Sequence, residues 1–311
     1  IEWSPLPLAR GMLAYMASDA RTPARLRLLD RYGNTRDITS NPGFPADQLV
    51  EPESVEFAAA DGMPIHGQLF LPTDSKPGVR HPAAIFFHGG SRRQMLLGWH
   101  YGGYYHTTYG FNQYLASKGY VVLSVNYRSG TGYGLEYREA ENYGATGASE
   151  FNDVVGAGLY LRSRDDVDPD RIALWGGSYG GYLTALGLAR ASDLFACGVD
   201  IHGVHDWNAS IKNFIPSYNP LKNPERAEIA FESSPLAFVD SWKSPVLLIS
   251  GDDDRNVNIH QSIRLTEALR NRGVNVEHLV FPDEVHGFLL YDNWIKAFSA
   301  ADEFMSRQMT K

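Results

Sequence analysis

The stretch of sequence that decides the fold covers residues 171–182 and reads RIALWGGSYGGY. Its apolar first half predicts a strand, and Tyr179–Ala191 has the composition of a buried helix. Ser178 lies between these elements, with Gly176 and Gly180 two positions to either side. A turn this tight leaves no room for side chains at the glycine positions and lifts the serine oxygen above the sheet. We therefore predict that Ser178 is a nucleophile.

Two other interpretations fit the same residues. The stretch could be a glycine-rich turn that only packs a helix onto a strand, or a loop that binds phosphate. A five-residue Gly-x-Ser-x-Gly pattern also occurs often by chance. The strand before it, the helix after it and the paired glycines on both sides favour the nucleophile.

Strands and helices alternate along the chain from about residue 51. The pattern begins with a hairpin over Ser54–Ala58 and Ile65–Leu71. Further strands are predicted over Ala83–Phe87, Tyr120–Asn126, Arg171–Leu174, Ala196–Ile201, Pro245–Ser250 and Val276–Phe281. Helices are predicted over Phe111–Lys118, Glu150–Arg164, Tyr179–Ala191, His260–Arg272 and Asn293–Met309. Such alternation predicts an α/β fold with a doubly wound, mostly parallel sheet.

The first fifty residues follow a different pattern. Gly11–Met16 and Arg25–Asp30 predict two short strands joined by a turn, and the prolines within 42–45 mark a break. Two strands alone are marginal in water, so this segment should pack on another part of the protein. We assign 1–50 to an N-terminal β segment and 51–311 to the main domain.

Candidate partners for Ser178 follow two later strands, in the chain order serine, acid, histidine. Three adjacent acids, Asp252–Asp254, come directly after the strand Pro245–Ser250, and their spacing alone does not choose among them. His286 follows the next strand, and we predict that it is the general base. A solvated acidic turn would explain any one of the acids but not the whole set.

A second glycine-rich loop follows the strand Ala83–Phe87 and reads HGG over residues 88–90. In hydrolases with this order of elements, the loop offers a backbone N–H to the negative oxygen of the tetrahedral intermediate. The other donor is the N–H of the residue after the nucleophile. We assign these donors to Gly90 and Tyr179, and we expect His88 to be structural rather than a second base.

The composition narrows the range of partners. The chain has 28 Lys and Arg against 36 Asp and Glu, a net charge of −8, which argues against nucleic acid and anionic membranes. No apolar run reaches the roughly 18 residues of a membrane helix, so we expect a soluble protein. The sequence leaves open cytoplasm, periplasm or secretion, and also a homo-oligomer.

No disulfide within the chain, cofactor or metal is predicted. The chain has one cysteine, Cys197, in an apolar stretch where a buried core residue is expected and a nucleophile is the weaker alternative. The three adjacent acids have no second cluster of ligands in the sequence to complete a cation site.

Together these motifs resemble the catalytic domain of the prolyl oligopeptidase family of serine peptidases, closest to its acylaminoacyl-peptidase and dipeptidyl-peptidase branches. The resemblance covers residues 51–311 and rests on the segments 88–90, 126–134, 175–182, 251–257 and 283–287. It implies an α/β-hydrolase fold and a serine peptidase that cleaves short peptides through an acyl-enzyme.

The resemblance also implies roles for single residues. It selects Asp254 among the three acids as the residue that orients His286, and it implies that Asn256 holds the carbonyl of substrate residue P2. The S1 pocket would be walled by Tyr179, Val204, Trp207 and Val257. Ser210 occupies the position of a second tyrosine that stacks on proline in the dipeptidyl branch, which argues against strict proline specificity.

Residues 1–50 resemble the last strands of the β-propeller that precedes this domain in the family, so a propeller absent from this chain is an expected partner. In the family, the propeller restricts access to short peptides, and in dipeptidyl peptidases it carries the acids that hold the free amino terminus. Two other functions stay open. A carboxylesterase can use the same triad, and a non-catalytic interaction module can keep the same fold.

Overall fold

The computed structural model describes residues 1–73 and 78–310. Its strands are β1 (Glu2–Leu8), β2 (Met12–Ala17), β3 (Arg25–Leu29), β4 (Thr35–Asp37), β5 (Glu53–Ala58), β6 (Pro64–Phe70), β7 (His81–Phe87), β8 (Val121–Asn126), β9 (Val167–Gly177), β10 (Cys197–Ile201), β11 (Val246–Gly251) and β12 (Val276–Phe281). Its α-helices are α1 (Gly103–Ser117), α2 (Leu135–Arg138), α3 (Phe151–Arg162), α4 (Tyr179–Arg190), α5 (Trp207–Phe214), α6 (Pro224–Glu232), α7 (His260–Arg270) and α8 (Tyr291–Met309).

The main sheet has eight strands in the order β12-β11-β10-β9-β7-β8-β6-β5. Every neighbouring pair from β12 to β8 is parallel. The strand β6 runs antiparallel to both β8 and β5. This arrangement confirms the predicted α/β-hydrolase fold with a mostly parallel sheet.

Helices cover both faces of this sheet, because successive side chains of a strand point to opposite faces. In β7, Ile85 and Phe87 belong to the core cluster that includes side chains of α3, α4 and α7. Their neighbours Ala84 and Phe86 belong to the cluster that includes α1 and α8. Every residue of β8, β10 and β11 is buried, as the near-continuous apolar runs in the sequence predicted.

The order of the strands reverses beside β7. The chain passes from β7 to β8 on one side, and then returns to β9 on the other. In open parallel sheets a crevice forms at such a point, outside the carboxyl ends of the strands. The HGG loop follows β7 and Ser178 follows β9, so both open into this crevice.

A separate antiparallel sheet with the order β1-β2-β3-β4 forms the N-terminal segment. The sequence predicted β2 and β3 but missed both outer strands. Pro5 and Pro7 argue against a strand over 2–8, since proline cannot donate to a ladder. They are tolerated because β1 lies at an edge of the sheet. The strand β4 has only three residues, too few for a periodic pattern.

Residues flanking the strands of the N-terminal sheet pack on the middle of α1 and on the loop before it. The Tyr109 hydroxyl donates to the Ala20 carbonyl at 2.7 Å, and the Ser18 hydroxyl donates to the Trp99 carbonyl at 2.6 Å. The Gln113 side chain donates to the Val50 carbonyl at 2.7 Å and accepts from the Val50 N–H at 3.0 Å. The expectation that this segment packs on another part of the protein is therefore met.

The main differences from the sequence prediction lie in the helices. Helix α1 begins at Gly103 rather than Phe111, so residues 103–110, which were not predicted to be helical, belong to it. Helices α2, α5 and α6 were not predicted. Cys197 is fully buried in β10, as expected, and burial raises the pKa of its thiol to about 12. None of the helices in the described ranges is both long and apolar enough to cross a bilayer.

Candidate active site

Ser178 sits on a strained turn between β9 and α4, with φ 59° and ψ −119°. This conformation is rare for a residue with a side chain. A Cβ atom at Gly180 would lie 1.9 Å from the Phe87 carbonyl oxygen, and one at Gly176 would lie 2.6 Å from the backbone of Gly180. The Ser178 N–H donates to the Ile201 carbonyl at 2.9 Å. The two glycines thus allow β7, β9 and α4 to close around the serine.

A chain of two hydrogen bonds links Ser178 to His286 and His286 to Asp254. The Ser178 Oγ lies 2.9 Å from His286 Nε2, and His286 Nδ1 lies 2.6 Å from Asp254 Oδ2. Because a carboxylate only accepts, the hydrogen of the neutral imidazole sits on Nδ1. Nε2 is then free to accept from the serine hydroxyl.

The structure distinguishes Asp254 from the two acids before it. Asp254 is buried, and its Oδ1 accepts from the N–H groups of Asn256 at 2.8 Å and Val257 at 2.9 Å. Asp252 and Asp253 are exposed and point elsewhere. Asp252 accepts from the Asp283 N–H at 2.7 Å, on the loop that carries His286. Of the three acids, only Asp254 bonds to His286.

Glu284, which the sequence analysis did not select, orders the loop of His286. Its carboxylate accepts from the Leu290 N–H at 3.0 Å and from the Asn293 amide at 2.7 Å. Burial opposes ionisation of this side chain. Hydrogen bonds from Asn293 and from backbone N–H groups outweigh burial and lower the pKa of Glu284. The loop is thereby tied to the start of α8, which fixes the position of the imidazole.

A second histidine, His202, lies against His286 and was also missed. It is buried, and its ring centroid is 4.3 Å from that of His286. Its Nε2 lies 2.9 Å from the Tyr104 hydroxyl. Burial and the nearby His286 lower the pKa of His202 well below its usual value, so this ring is neutral at pH 7. No sequence pattern marks it, because it follows β10 without any glycine-rich motif.

These residues also form a group of potential metal ligands. Within the described ranges, donor atoms of His202, Asp254 and His286 lie within 4.8 Å of one another. Two of those groups, Asp254 and His286, are already joined by a 2.6 Å hydrogen bond. A cation at this point would have to replace that bond. The geometry fits a serine–histidine–carboxylate triad better than a metal centre.

The triad opens into a cavity of about 830 Å³. Eight of the site residues predicted from the sequence line this cavity: Ser178, His286, Gly90, Tyr179, Val204, Trp207, Asn256 and Val257. The ninth, Asp254, does not line it and is linked to it through His286. Ser210 lines it as well. His88 does not. It is fully buried and stacks on Tyr127 with ring centroids 4.4 Å apart, and burial lowers its pKa to about 4.

The Tyr179 side chain is held in place by Glu150, a residue that was not predicted from the sequence. Its hydroxyl donates to the buried carboxylate of Glu150, which also accepts from the Gly144 N–H at 3.0 Å. Burial raises the pKa of Glu150. On its sides, the Tyr179 ring is stacked parallel to Tyr127, with centroids 5.9 Å apart, and contacts Trp207. One wall of the cavity is therefore rigid and aromatic.

A serine, a histidine and a buried carboxylate, hydrogen-bonded in that order at the switch point of an α/β sheet, are the arrangement found in serine hydrolases of the α/β-hydrolase fold. The family is narrower than that class. Residues 105–311 match the model of the prolyl oligopeptidase family, and the chain belongs to this family. The resemblance inferred from the sequence motifs is thus confirmed.

The relatives include a dipeptidyl peptidase and an acylaminoacyl peptidase, the two branches that the motifs indicated. Dipeptidyl aminopeptidase BIII of Pseudoxanthomonas mexicana is 32% identical over 94% of this chain and 43% of its own length. A puromycin-hydrolysing peptidase of Mycobacterium tuberculosis superposes with a TM-score of 0.83 at 26% identity, over 95% of this chain and 46% of that one. The acylaminoacyl peptidase of Pyrococcus horikoshii has a TM-score of 0.80 at 27% identity, over 98% and 49%. The chain spans less than half the length of each relative.

Proposed function

We propose that this chain is a serine peptidase that hydrolyses peptide bonds of short peptides through an acyl-enzyme. The observation that carries the proposal is the bonded series Ser178–His286–Asp254 at the edge of a cavity large enough for several substrate residues. Membership of the prolyl oligopeptidase family supports an amide rather than only an ester as the substrate.

The proposed reaction starts with His286. Its Nε2 takes the proton of Ser178 as the serine oxygen attacks the substrate carbonyl, and Asp254 holds the tautomer and stabilises the imidazolium. The N–H groups of Gly90 and Tyr179 hold the oxyanion. The C–N bond then breaks, and the leaving amine takes the proton from Nε2. Water, activated by the same histidine, releases the acyl group from the serine.

The walls of the cavity suggest which acyl groups it accepts. Val204, Trp207 and Val257, with the ring of Tyr179, would hold an apolar P1 side chain, and Asn256 would hold the P2 carbonyl. No Asp or Glu is among the described residues that line the cavity, so these residues offer no counter-charge for a free amino terminus. A blocked amino terminus, or acids supplied by another domain, fits this lining better.

We also propose that 51–311 form the catalytic domain and that 1–50 belong to a β-propeller. Support comes from the four antiparallel strands connected in sequence order, which is the construction of one propeller blade. The greater length of the relatives is consistent with such a domain. The propeller would then be the partner that restricts substrates to short peptides.

The test compares kcat/KM for an amide and an ester that carry one acyl group, N-acetyl-alanyl anilide and the matching phenyl ester. We expect hydrolysis of both, and we expect Ser178→Ala to reduce kcat by about 10⁶. A carboxylesterase would hydrolyse the ester alone, and a non-catalytic module neither. Fluorophosphonate labelling separates the last case from poor substrate choice, because an intact triad is labelled at Ser178 whatever the substrate.

A further inference from the structure

Two adjacent arginines follow the proposed oxyanion loop, and they differ in their surroundings. Arg92 is paired, since both of its terminal nitrogens donate to the carboxylate oxygens of Glu139 at 2.7 Å. Arg93 forms no ion pair with any acid in the described part of the chain. Both residues line the cavity of Ser178. A cation without a counter-charge therefore lies at the active site.

The position of Arg93 is fixed by its surroundings. Its backbone N–H donates to the Ser91 carbonyl at 2.7 Å, and its carbonyl accepts from the Thr131 N–H at 2.9 Å. Its aliphatic stem lies against Gly90, where an added Cβ would be 2.6 Å from the Arg93 Cγ. The guanidinium carbon lies 5.6 Å from the ring centroid of Tyr105, a cation–π contact. The guanidinium is thus held beside the proposed oxyanion donor.

The ring beside Arg93, Tyr105, has different direct aromatic neighbours from Trp207 in the apolar wall of the cavity. Tyr105 contacts the rings of His88, His100 and Tyr104. The wall residue Trp207 instead contacts Tyr179 and Tyr182. In the binding mode considered, the acyl side chain fills the apolar wall and the leaving group lies toward Arg93.

We propose that Arg93 binds a carboxylate on the leaving-group side of the substrate, which makes it a determinant of specificity. The inference rests on the proposed peptidase function. A guanidinium matches a carboxylate with two parallel hydrogen bonds, and no described lining residue is an acid that would compete for it. The carboxylate is either the free C-terminus of a short leaving group or an acidic side chain near the scissile bond.

The experiment uses three blocked peptides with one acyl part. In all three peptides, one residue follows the scissile bond. In the first peptide this residue has a free C-terminal carboxylate, and in the second its C-terminus is an amide. In the third its C-terminus is also an amide, but its side chain is acidic. We expect the wild type to show a kcat/KM on the order of 10–100-fold higher for at least one carboxylate peptide than for the neutral one. Which peptide gains identifies the source of the carboxylate.

The variants compare the two arginines. Arg93→Gln should bring the ratio of kcat/KM for the carboxylate peptide to kcat/KM for the neutral peptide close to one. Arg93→Lys should keep part of the wild-type preference, because lysine keeps the charge without the planar fork. Arg92→Gln is the matched control and should keep the wild-type ratio, since Glu139 already occupies Arg92. Equal ratios in the wild type and Arg93→Gln, or a loss in Arg92→Gln as large as in Arg93→Gln, would overturn the inference.

Failure of the proposed peptidase function gives a different result. If no peptide is cleaved, kcat/KM is measured for the acetyl esters of 4-hydroxybenzoate and 4-hydroxybenzamide. The first leaving group carries a carboxylate and the second carries a neutral amide in its place. Comparing the ratio between wild type and Arg93→Gln cancels the difference in leaving-group chemistry. If the ratio of kcat/KM for the carboxylate ester to that for the amide ester falls in Arg93→Gln, Arg93 binds the leaving group of an esterase substrate. If this ratio is unchanged, the inference about Arg93 is wrong.

Discussion

The eight-stranded sheet and the N-terminal sheet differ in how they are stabilised. In the large sheet, β8, β10 and β11 are buried along their whole length, and the ion pair of Arg128 with Asp153 is buried. In the small sheet, β4 is fully exposed, and the ion pairs around Asp37 are open to solvent.

The difference has a direct consequence for mutations. Burial makes each contact of the large sheet costly to lose, since nothing replaces a buried partner, whereas water replaces an exposed one. The small sheet depends on its contacts with α1, because its outer strands are largely exposed and its inner strands are mostly half-buried, so it buries too little apolar surface to be stable alone. Substitutions should therefore have effects that decrease from the triad to the outer edge of the N-terminal sheet.

The largest effect is expected at Asp254. Asp254→Asn keeps the shape of the side chain but removes the carboxylate that fixes the hydrogen on His286 Nδ1, so kcat should fall by roughly 10⁴. The measurement is steady-state hydrolysis of the anilide or ester above, with a circular dichroism spectrum to show an intact fold. Asp253→Asn is the matched control and should have near-normal kcat. A normal rate in Asp254→Asn would remove Asp254 from the triad.

The next effect concerns stability rather than rate. Arg128 bonds to the buried Asp153 and to Asp61, so Arg128→Met leaves the buried Asp153 carboxylate with a backbone N–H but no cationic partner, and it should lower the free energy of unfolding by about 3–5 kcal/mol. Urea unfolding measures the change. Arg92→Met, which breaks the exposed pair with Glu139, should lower the free energy of unfolding far less, because solvent screens that pair. Similar losses of unfolding free energy in Arg128→Met and Arg92→Met would show that burial does not decide the cost of breaking these ion pairs.

The contact between the N-terminal segment and α1 is tested at Tyr109. Tyr109→Phe removes the hydrogen bond to the Ala20 carbonyl inside the protein and should cost about 1–2 kcal/mol. We expect faster hydrogen exchange for the amides of β2 and β3 and unchanged exchange for β10. Tyr101→Phe changes an exposed ring and serves as the control. Faster exchange in both sheets would mean that they unfold as one unit.

A smaller effect, with a defined pH dependence, is expected at Asp61. Its hydrogen bonds with Arg128 lower its pKa below the usual 3.8, against the opposing effect of burial. A lowered pKa in the folded state stabilises the protein above the unfolded pKa, and this contribution is lost as pH falls through the folded value. Asp61→Asn should thus cost about 1 kcal/mol or less at pH 7, because the side chain is partly exposed.

The difference between wild type and Asp61→Asn should shrink as pH falls below 3.8, where the wild-type carboxyl is progressively protonated. Urea unfolding at several pH values between 7 and the acid limit of reversibility measures it. A difference that grows toward acid would show that the sign of the linkage is wrong.

The smallest effect is expected at the outer strand of the N-terminal sheet. Asp37 pairs with Arg25 and Arg27, but solvent screens these pairs, so Asp37→Asn should change stability by about 0.5 kcal/mol or less. The kcat/KM should not change, because no residue of β4 lines the active-site cavity. A clear change in kcat/KM would show that the small sheet influences the catalytic groups.

Much of the fold and of the candidate site could be predicted from the sequence, because the decisive signals are local. Apolar runs identified all six parallel strands of the large sheet, and the glycines around Ser178 marked the turn. The chain order of serine, acid and histidine indicated His286. These patterns are readable because a buried strand needs apolar side chains and a tight turn needs glycine, whatever the rest of the chain does.

What the tertiary structure alone decided depends on contacts between residues far apart in the sequence. The residues alone could not choose among Asp252–Asp254, and only the family resemblance favoured Asp254, because the choice depends on which carboxylate is buried next to His286. Glu150, His202 and Glu284 carry no local pattern. Arg92 and Arg93 are identical neighbours in the sequence, and only folding brings Glu139 to Arg92 while no acid in the described ranges pairs with Arg93. Burial and pairing are properties of the folded chain, so no stretch of residues determines them by itself.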